Sequence, residues 1–175
     1  MSIIAEKLNR FKAYVGTVTS ANQLAGITSE ATLPTFEMMS ETLSLSGMNG
    51  EIDSPSPGQF KSATIELTFS NVSKEMFELV VDDSNALILR GAQEQIDTAT
   101  QGKSFVQRAI TCKGLTKSVN YGKLKKGGYG EPSITKEVIY YKDEHDGTVV
   151  TEVDKLNGKW VVNGKNMMAD IESML

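Results

Sequence analysis

Apolar and polar residues alternate along much of the chain, a pattern typical of β-strands that bury one face. The alternation is cleanest in 62–70, where every second residue is apolar: Ala63, Ile65, Leu67 and Phe69. A longer run, 104–119, puts Val106, Ile110 and Cys112 on one face and Gln107, Thr111 and Lys113 on the other. Further strands are predicted at 35–46, 86–95, 134–142 and 148–156. Six strands of this kind predict a mainly antiparallel β fold.

Helical spacing is confined to short segments. Met76, Phe77 and Val80 follow Ser73, a residue type that caps helices, and predict a short amphipathic helix. The segment from Asn166 to the C-terminus predicts a second short helix, and we expect its apolar stripe to pack against another surface. The apolar residues between positions 3 and 11 predict a third.

Glycine, proline and asparagine mark the loops. Residues 47–58 contain two prolines and three glycines, so we predict a long excursion rather than a central strand. The lysine- and glycine-rich segment 122–132 predicts a second loop. Asp146-Gly147 lies between two strand patterns and predicts a tight hairpin, while the Asn-Gly pairs at 157–158 and 163–164 predict further turns or a helix start.

Composition limits what the chain can be. Its 175 residues predict one domain spanning 1–175. A single cysteine and a single histidine leave no internal disulfide and no zinc cluster. A net charge of −4 argues against a basic clamp on DNA. The apolar stretches are too short for a transmembrane helix, and the charged first ten residues predict no signal peptide, hence folding in a reducing cytoplasm.

No segment carries a recognisable catalytic or ligand motif. The run Gly127-Gly128-Tyr129-Gly130 lacks the spacing of a phosphate-binding loop and continues into Glu131-Pro132, so we interpret it as a connector. Residues 142–147 hold three carboxylates and His145, but a strand pattern follows them, which favours a solvated hairpin tip over a metal site. No G-x-S-x-G elbow or distinct carboxylate pair is present. We therefore predict a non-enzymatic protein without catalytic, cofactor-binding or metal-binding residues.

Two blocks of sequence resemble a known family. Ala31-Thr32-Leu33-Pro34, then a strand and Gly47-Met48-Asn49-Gly50, closely resembles the N-terminal region of the major tail tube proteins of contractile-tailed bacteriophages. Glu152-Val153-Asp154 and Val161-Val162-Asn163-Gly164 before a final helix are similar to the ending of the same family. The region 74–132 carries no family motif. The inner tube proteins of phage-tail-like bacteriocins share the pattern, so phage and bacteriocin both stay open.

The resemblance implies an antiparallel β-sandwich or barrel of the tail-tube type, with one or two short helices and long inter-subunit loops. It implies hexameric rings that stack into a tube and partners comprising the contractile sheath, the baseplate and the tail terminator. Sheath contraction would drive the tube through the bacterial envelope, and DNA or ions would pass through without specific binding. The particle, a virion tail or bacteriocin, would be assembled in the host bacterial cytoplasm, with no membrane insertion by the monomer.

Two groups of residues follow from this expectation. Inter-subunit or inter-ring contacts are expected at Leu33, Pro34, Gly47, Met48, Asn49, Gly50 and Ile52. The wet face of a wide barrel lines its lumen, and the candidates there are Thr64, Glu66, Thr68, Gln107 and Thr111. A mild negative excess would suit a lumen that does not hold a phosphate backbone.

Two alternatives compete with the tail tube. One is the ring or tube protein of another contractile injection system, such as type VI secretion. The other is a small carbohydrate-active β-sandwich, which the aromatic content of 7% disfavours.

Overall fold

A computed structural model describes residues 2–175, apart from the side chains of Thr28 and Ser29. Met1, the first residue of the segment considered for a signal peptide, lies outside the described residues. The strands are β1 (Ile3–Val15), β2 (Ile27–Thr32), β3 (Met38–Leu43), β4 (Ile52–Phe60), β5 (Thr64–Phe69), β6 (Leu87–Asp97), β7 (Lys103–Asn120), β8 (Ser133–His145), β9 (Thr148–Asp154), β10 (Lys159–Val162) and β11 (Lys165–Asn166). The helices are α1 (Glu78–Val81) and α2 (Ala169–Glu172), with 3-10 turns at Ser20–Asn22 and Glu75–Phe77.

Nine strands form one antiparallel sheet that branches at β8. The path runs β1-β6-β7-β8-β9-β10-β11, and β5 and then β2 continue from β8 in a second direction. On the side of β8 away from β7, residues 133–137 pair with β5 and residues 140–145 pair with β9. The sheet does not close into a barrel. Strands β3 and β4 form a separate two-stranded sheet.

One face of the large sheet is buried. Its alternating apolar residues pack with the helical turn, which contributes Met76 and Leu79, into one core. Burying such apolar surface is the main favourable contribution to folding. The core comprises Ala13, Val15, Leu24, Ile65, Leu67, Phe69, Met76, Leu79, Leu87, Leu89, Ile110, Cys112, Ile134, Val138 and Tyr141.

A buried lysine fixes the short helix against the sheet. Lys136, which is 5% exposed, donates through Nζ to the carbonyl oxygen of Leu79 in α1 at 2.7 Å and to Oδ1 of Asp83 at 3.0 Å. The same Asp83 oxygen accepts from the backbone N and Oγ1 of Thr116 in β7. A buried cation needs such partners to offset its desolvation, so this network joins α1, β7 and β8.

Most of the predicted elements are confirmed. The six predicted strands correspond to β3, β5, β6, β7, β8 and β9. The helical turn after Ser73 is present, and the Ser73 hydroxyl accepts a hydrogen bond from the backbone N of Met76. Loop 122–132 lies between β7 and β8, and Asp146-Gly147 makes the tight turn between β8 and β9. The C-terminal helix is short, and the backbone N of Met168, the residue before it, donates to Asn166 Oδ1.

The prediction of an N-terminal helix is wrong, because residues 3–15 form strand β1 alongside β6. Its pairing shifts register between Ala5 and Leu8 and again between Leu8 and Arg10. Such bulges insert residues into the ladder and disturb simple alternation. The resulting spacing of apolar residues imitates a helix.

The prediction of an irregular excursion at 47–58 is wrong in part, because Ile52–Phe60 forms strand β4. Strand β4 pairs with β3 alone, so its second edge needs no ladder partner and tolerates proline. Only the stretch between Leu43 and Ile52 is irregular.

The hairpin tip predicted at 142–147 is also shorter than expected. Lys142 to His145 belong to β8, and Asp143 is buried. Arg108 in β7 donates to both carboxylate oxygens of Asp143, with the shortest contact, Nη2 to Oδ2, at 2.6 Å. The Asn-Gly pairs at 157–158 and 163–164 make turns before and after β10, not a helix start.

Replacing Asp83 with Asn should lower the free energy of unfolding at pH 7 by about 1 kcal/mol. Hydrogen bonds from Thr116, and then from Lys136, hold the pKa of the Asp83 carboxyl below its ordinary value. The ionised carboxylate therefore stabilises the fold above the unfolded-state pKa of about 4, and this contribution is lost as pH falls through the lower folded-state pKa. Urea unfolding at several pH values between 7 and 2 measures this effect. The difference in free energy of unfolding between Asp83→Asn and the unchanged protein should become smaller as the pH falls.

Asp170→Asn, an exposed acid in α2, is the matched control and should leave the pH curve unchanged. A difference between Asp83→Asn and the unchanged protein that stays constant down to pH 2 would contradict the assignment.

Candidate assembly surfaces

The two-stranded sheet of β3 and β4, residues 38–60, is an exposed hairpin that we call the arm. Its cross-strand pair Leu43 and Ile52 is 41% and 55% exposed. Met39 and Leu45 are also largely exposed. A cluster of exposed apolar side chains on a small hairpin is typical of a surface that another molecule covers.

The structure places the predicted contact residues in two groups. Gly47, Met48, Asn49, Gly50 and Ile52 lie together at the tip of the arm. Leu33 and Pro34 lie before the base of the arm, in the segment between β2 and β3, where Leu33 packs against the core. The role of both groups in assembly stays a prediction.

Aromatic rings hold the base of the arm. The ring centroid of Phe60 in β4 lies 5.6 Å from that of Phe36 and 5.5 Å from that of Trp160 in β10. Phe36 in turn lies 5.4 Å from Tyr141 of the core. All three pairs are edge-to-face, the arrangement that aromatic quadrupoles favour. The four positions are scattered along the chain, so no sequence spacing indicates this cluster.

The C-terminal segment packs against the same base. Gly58 has a φ of +75°, and a Cβ at this position would collide with the thioether of Met168. Met168 is buried although it directly precedes α2. The arm therefore begins at a joint made by β4, β10 and the C-terminal segment.

The side of the large sheet opposite the core, which we call the hydrated face, carries all five lumen candidates. Thr64, Glu66 and Thr68 alternate with buried residues of β5. Gln107 and Thr111 lie on the corresponding face of β7, alternating with buried Ile110 and Cys112. Strand β8 pairs with both β5 and β7 and so joins the two sets in one surface. Their exposure to a lumen stays a prediction.

Charges of both signs occupy the hydrated face. Lys159 and Glu152 form an ion pair at 2.8 Å, and the Tyr140 hydroxyl donates to Glu152 at 3.0 Å. The hydrogen bond from Lys159, with that from Tyr140, lowers the pKa of Glu152 from its ordinary value. Some of the charged groups on the hydrated face are thus paired with each other within the chain.

Strand β1 is an edge of the large sheet. It pairs with β6 along its length, and on its other side the described residues contribute one isolated bridge, between Tyr14 and Gln23. Ile3, Ile4 and Leu8 are 60%, 54% and 44% exposed. An exposed edge with apolar side chains readily pairs with a strand of another chain.

The described residues show no arrangement for metal or thiol chemistry. Within residues 2–175, no group of three or more His, Cys, Asp or Glu side chains could hold a metal ion. Burial raises the pKa of the Cys112 thiol to about 12, which keeps it protonated and unreactive at neutral pH. In the same part of the chain, no helix has the length and apolarity required to cross a membrane.

Replacing Phe60 with Ala should loosen the arm without unfolding the core. The change removes the ring contacts to Phe36 and Trp160, and Trp160 is the only tryptophan. We expect its fluorescence to shift to the red and a glutamate-specific protease to cleave the arm several-fold faster at Glu41 or Glu51. Leu45→Ala, at the exposed tip, should change neither signal. Unchanged emission and cleavage in Phe60→Ala would show that the rings do not hold the arm.

Comparisons with known proteins agree with the geometry. A solved structure titled as the sheath/tube terminator of an extracellular contractile injection system, PVC, in its extended state superposes with a TM-score of 0.51. The match has 11% identity and covers 78% of this chain and 94% of that one, so it supports the fold alone. A search of curated protein sequences returns no significant match. The family model for phage tail tube protein FII matches residues 5–175. The chain therefore belongs to the phage tail tube protein family, and its role is that of a structural tail component.

Proposed function

We propose that the chain is the structural subunit of the inner tube of a contractile phage tail or of a phage-tail-like bacteriocin. Copies join into hexameric rings, and the rings stack into a tube that conducts DNA or ions when the sheath contracts. The observation that carries this proposal is the unclosed sheet of a tail tube family member, with an exposed edge at β1 and one hydrated face. The function needs no enzymatic step and no cofactor.

The edge of the sheet provides the means of ring closure. Strand β1 has 13 residues, and a strand from a neighbouring subunit can satisfy the backbone groups on its unpaired side. The same contact would cover Ile3, Ile4 and Leu8. A sheet that continues from subunit to subunit closes only when the ring is complete.

The hydrated face supports the lumen assignment. Side chains that face a water-filled channel stay solvated, while the opposite face packs in the core. Thr64, Glu66, Thr68 and Thr111 meet this condition in the isolated chain, since each alternates with buried neighbours. Gln107 is a further candidate on β7.

The arm and the segment that precedes it supply the proposed contacts between copies. The tip residues 47–50 and Ile52, and before the base of the arm Leu33 and Pro34, are proposed to touch an adjacent subunit or ring. The single domain 1–175 would meet the sheath, the baseplate and the tail terminator in a particle assembled in the host cytoplasm.

A terminator is the second candidate function. The solved structure that supports it is titled a sheath/tube terminator, and the match extends over nearly all of that chain. A terminator ring caps a tube and stops its growth, so it would form single rings instead of tubes. The two functions therefore differ in what the purified protein assembles into.

Negative-stain images of concentrated protein test the proposal. We expect tubes with a regular ring repeat, and single rings would favour the terminator. Ile3→Lys with Ile4→Lys should suppress assembly, because lysine on an edge strand blocks pairing with another strand. Val81→Lys with Leu124→Lys makes the same change at two exposed apolar positions off the edge and should assemble normally. A strictly monomeric unchanged protein would remove both candidate functions.

A further inference from the structure

We propose that the arm of one copy docks into a basic groove on the hydrated face of a second copy, with Glu41 and Glu51 against Lys12 and Arg90. The groove has a volume of about 480 Å³ and crosses β1, β6 and β7. Its side chains include Arg10, Lys12, Tyr14, Arg90, Phe105 and Gln107. The inference rests on the proposed self-assembly and identifies the surface that receives the arm.

The groove holds positive charge that the chain itself does not neutralise. Lys12 and Arg90 are directly opposed in the β1–β6 ladder, and Arg10 lies two positions further along β1. Like charges in opposed positions destabilise a sheet. Among the described residues, none of the three side chains has a hydrogen bond or an ion pair. An acidic partner would relieve this repulsion.

A carboxylate on one of the groove strands is already engaged. Glu94 of β6 is buried and accepts from Asn9 at 2.9 Å and from Lys103 at 2.9 Å. The hydrogen bond from Asn9, with that from Lys103, lowers the pKa of Glu94 from its ordinary value. The three groove cations thus need acids from elsewhere.

The arm has the complementary charge. Residues 38–60 contain three acids and no lysine or arginine, and a fourth acid, Glu37, directly precedes them. Glu37 pairs with Lys61 at the base, and Asp53 accepts from the Thr42 hydroxyl at 2.8 Å. Glu41 and Glu51 have no hydrogen-bond or ion-pair partner within the described part of the chain. They are the free acids of the arm.

The arm and the groove also match in apolar surface and in length. Glu41 shares a face of the arm with exposed Leu43 and Ile52, and the groove cations lie between Tyr14 and Phe105, which is 62% exposed. The arm reaches about 26 Å from Phe60 to Ile52, at about 3.3 Å per residue. The groove runs about 13 Å from Arg10 to Tyr14 on the same measure. The arm is therefore long enough to span the groove of a neighbour.

The geometry of such a contact fits a growing assembly. Arm and groove are different surfaces of one chain, so the contact is head-to-tail and extends into rings or filaments instead of stopping at a dimer. Since Gln107 lines the groove, the docked arm would cover it. The lumen would then be lined by the rest of the hydrated face, where Thr64, Glu66, Thr68 and Thr111 lie.

Three clustered cations also suit a nucleic-acid backbone, but two observations favour a second copy. The chain is acidic overall, and its arm offers the matching carboxylates and apolar side chains. Binding to duplex DNA is therefore an outcome that the experiment must distinguish.

Charge reversal tests the contact. Glu41→Lys with Glu51→Lys reverses the arm, and Lys12→Glu with Arg90→Glu reverses the groove. Each should raise the protein concentration needed for assembly by about tenfold or more, because like charges then face each other. Mixing the two variants, or placing all four changes in one chain, should restore assembly. Lys125→Glu with Lys126→Glu, in the exposed loop 122–132, matches the charge change of the groove variant and should have no effect.

Engineered cysteines test proximity whether or not tubes form. Because Cys112 is buried, Leu43→Cys with Phe105→Cys adds the only accessible thiols among the described residues. Mild oxidation should link copies into a ladder of multimers on a non-reducing gel. Leu43→Cys with Leu124→Cys, which pairs the arm with the exposed loop, should give no ladder.

The outcomes separate the two proposals. Tubes from the unchanged protein and from both single reversals, with no disulfide ladder, would overturn the arm–groove contact and leave the tube function standing. A ladder without tubes would support the contact and count against the tube. A groove reversal that abolishes duplex DNA binding but not assembly would assign the groove to nucleic acid and overturn the contact.

Discussion

The buried layer on one side of the nine-stranded sheet determines the rest of the molecule. Strands β1, β5, β6, β7 and β8 each direct apolar residues into it, and the opposite face carries the alternating polar positions of β5 and β7. One layer cannot cover both faces of a sheet, and this sheet, which branches at β8, does not close on itself. An exposed edge and a hydrated face therefore arise together from the way in which the core is built.

Two ion pairs, each with one buried member, connect the elements around this one-sided layer. Lys136 joins α1 to β7 and β8, and Arg108 joins β7 to Asp143 in β8. Both act on β8, the strand that pairs in two directions. A polar interaction inside an apolar layer has strict geometric demands, because an unpaired partner is costly. These residues thus favour one arrangement of the strands that carry the proposed lumen and edge.

The sequence predicts the parts of the fold in which local pattern and tertiary role agree. In β5 and β7 the buried face alternates with a wet one, and a period of two follows directly. The alternating pattern does not predict strand β1, because bulges in this strand shift its apolar residues to a helix-like spacing. The sequence does not predict strand β4, because two prolines argue against a central strand. A strand with only one neighbour, such as β4, tolerates proline. The aromatic joint of Phe36, Phe60, Tyr141 and Trp160 depends on contacts across the whole chain, which no local pattern contains.

The contact between Gly58 and Met168 links two distant parts of the sequence. Position 58 lies near the end of β4 at the base of the arm and position 168 just before the last helix, yet they are in direct contact. A side chain at 58 would displace the thioether, and the φ of +75° adds a second restriction. The two positions therefore constrain each other's substitutions. The base of the arm and the end of the chain are therefore expected to vary together in sequence.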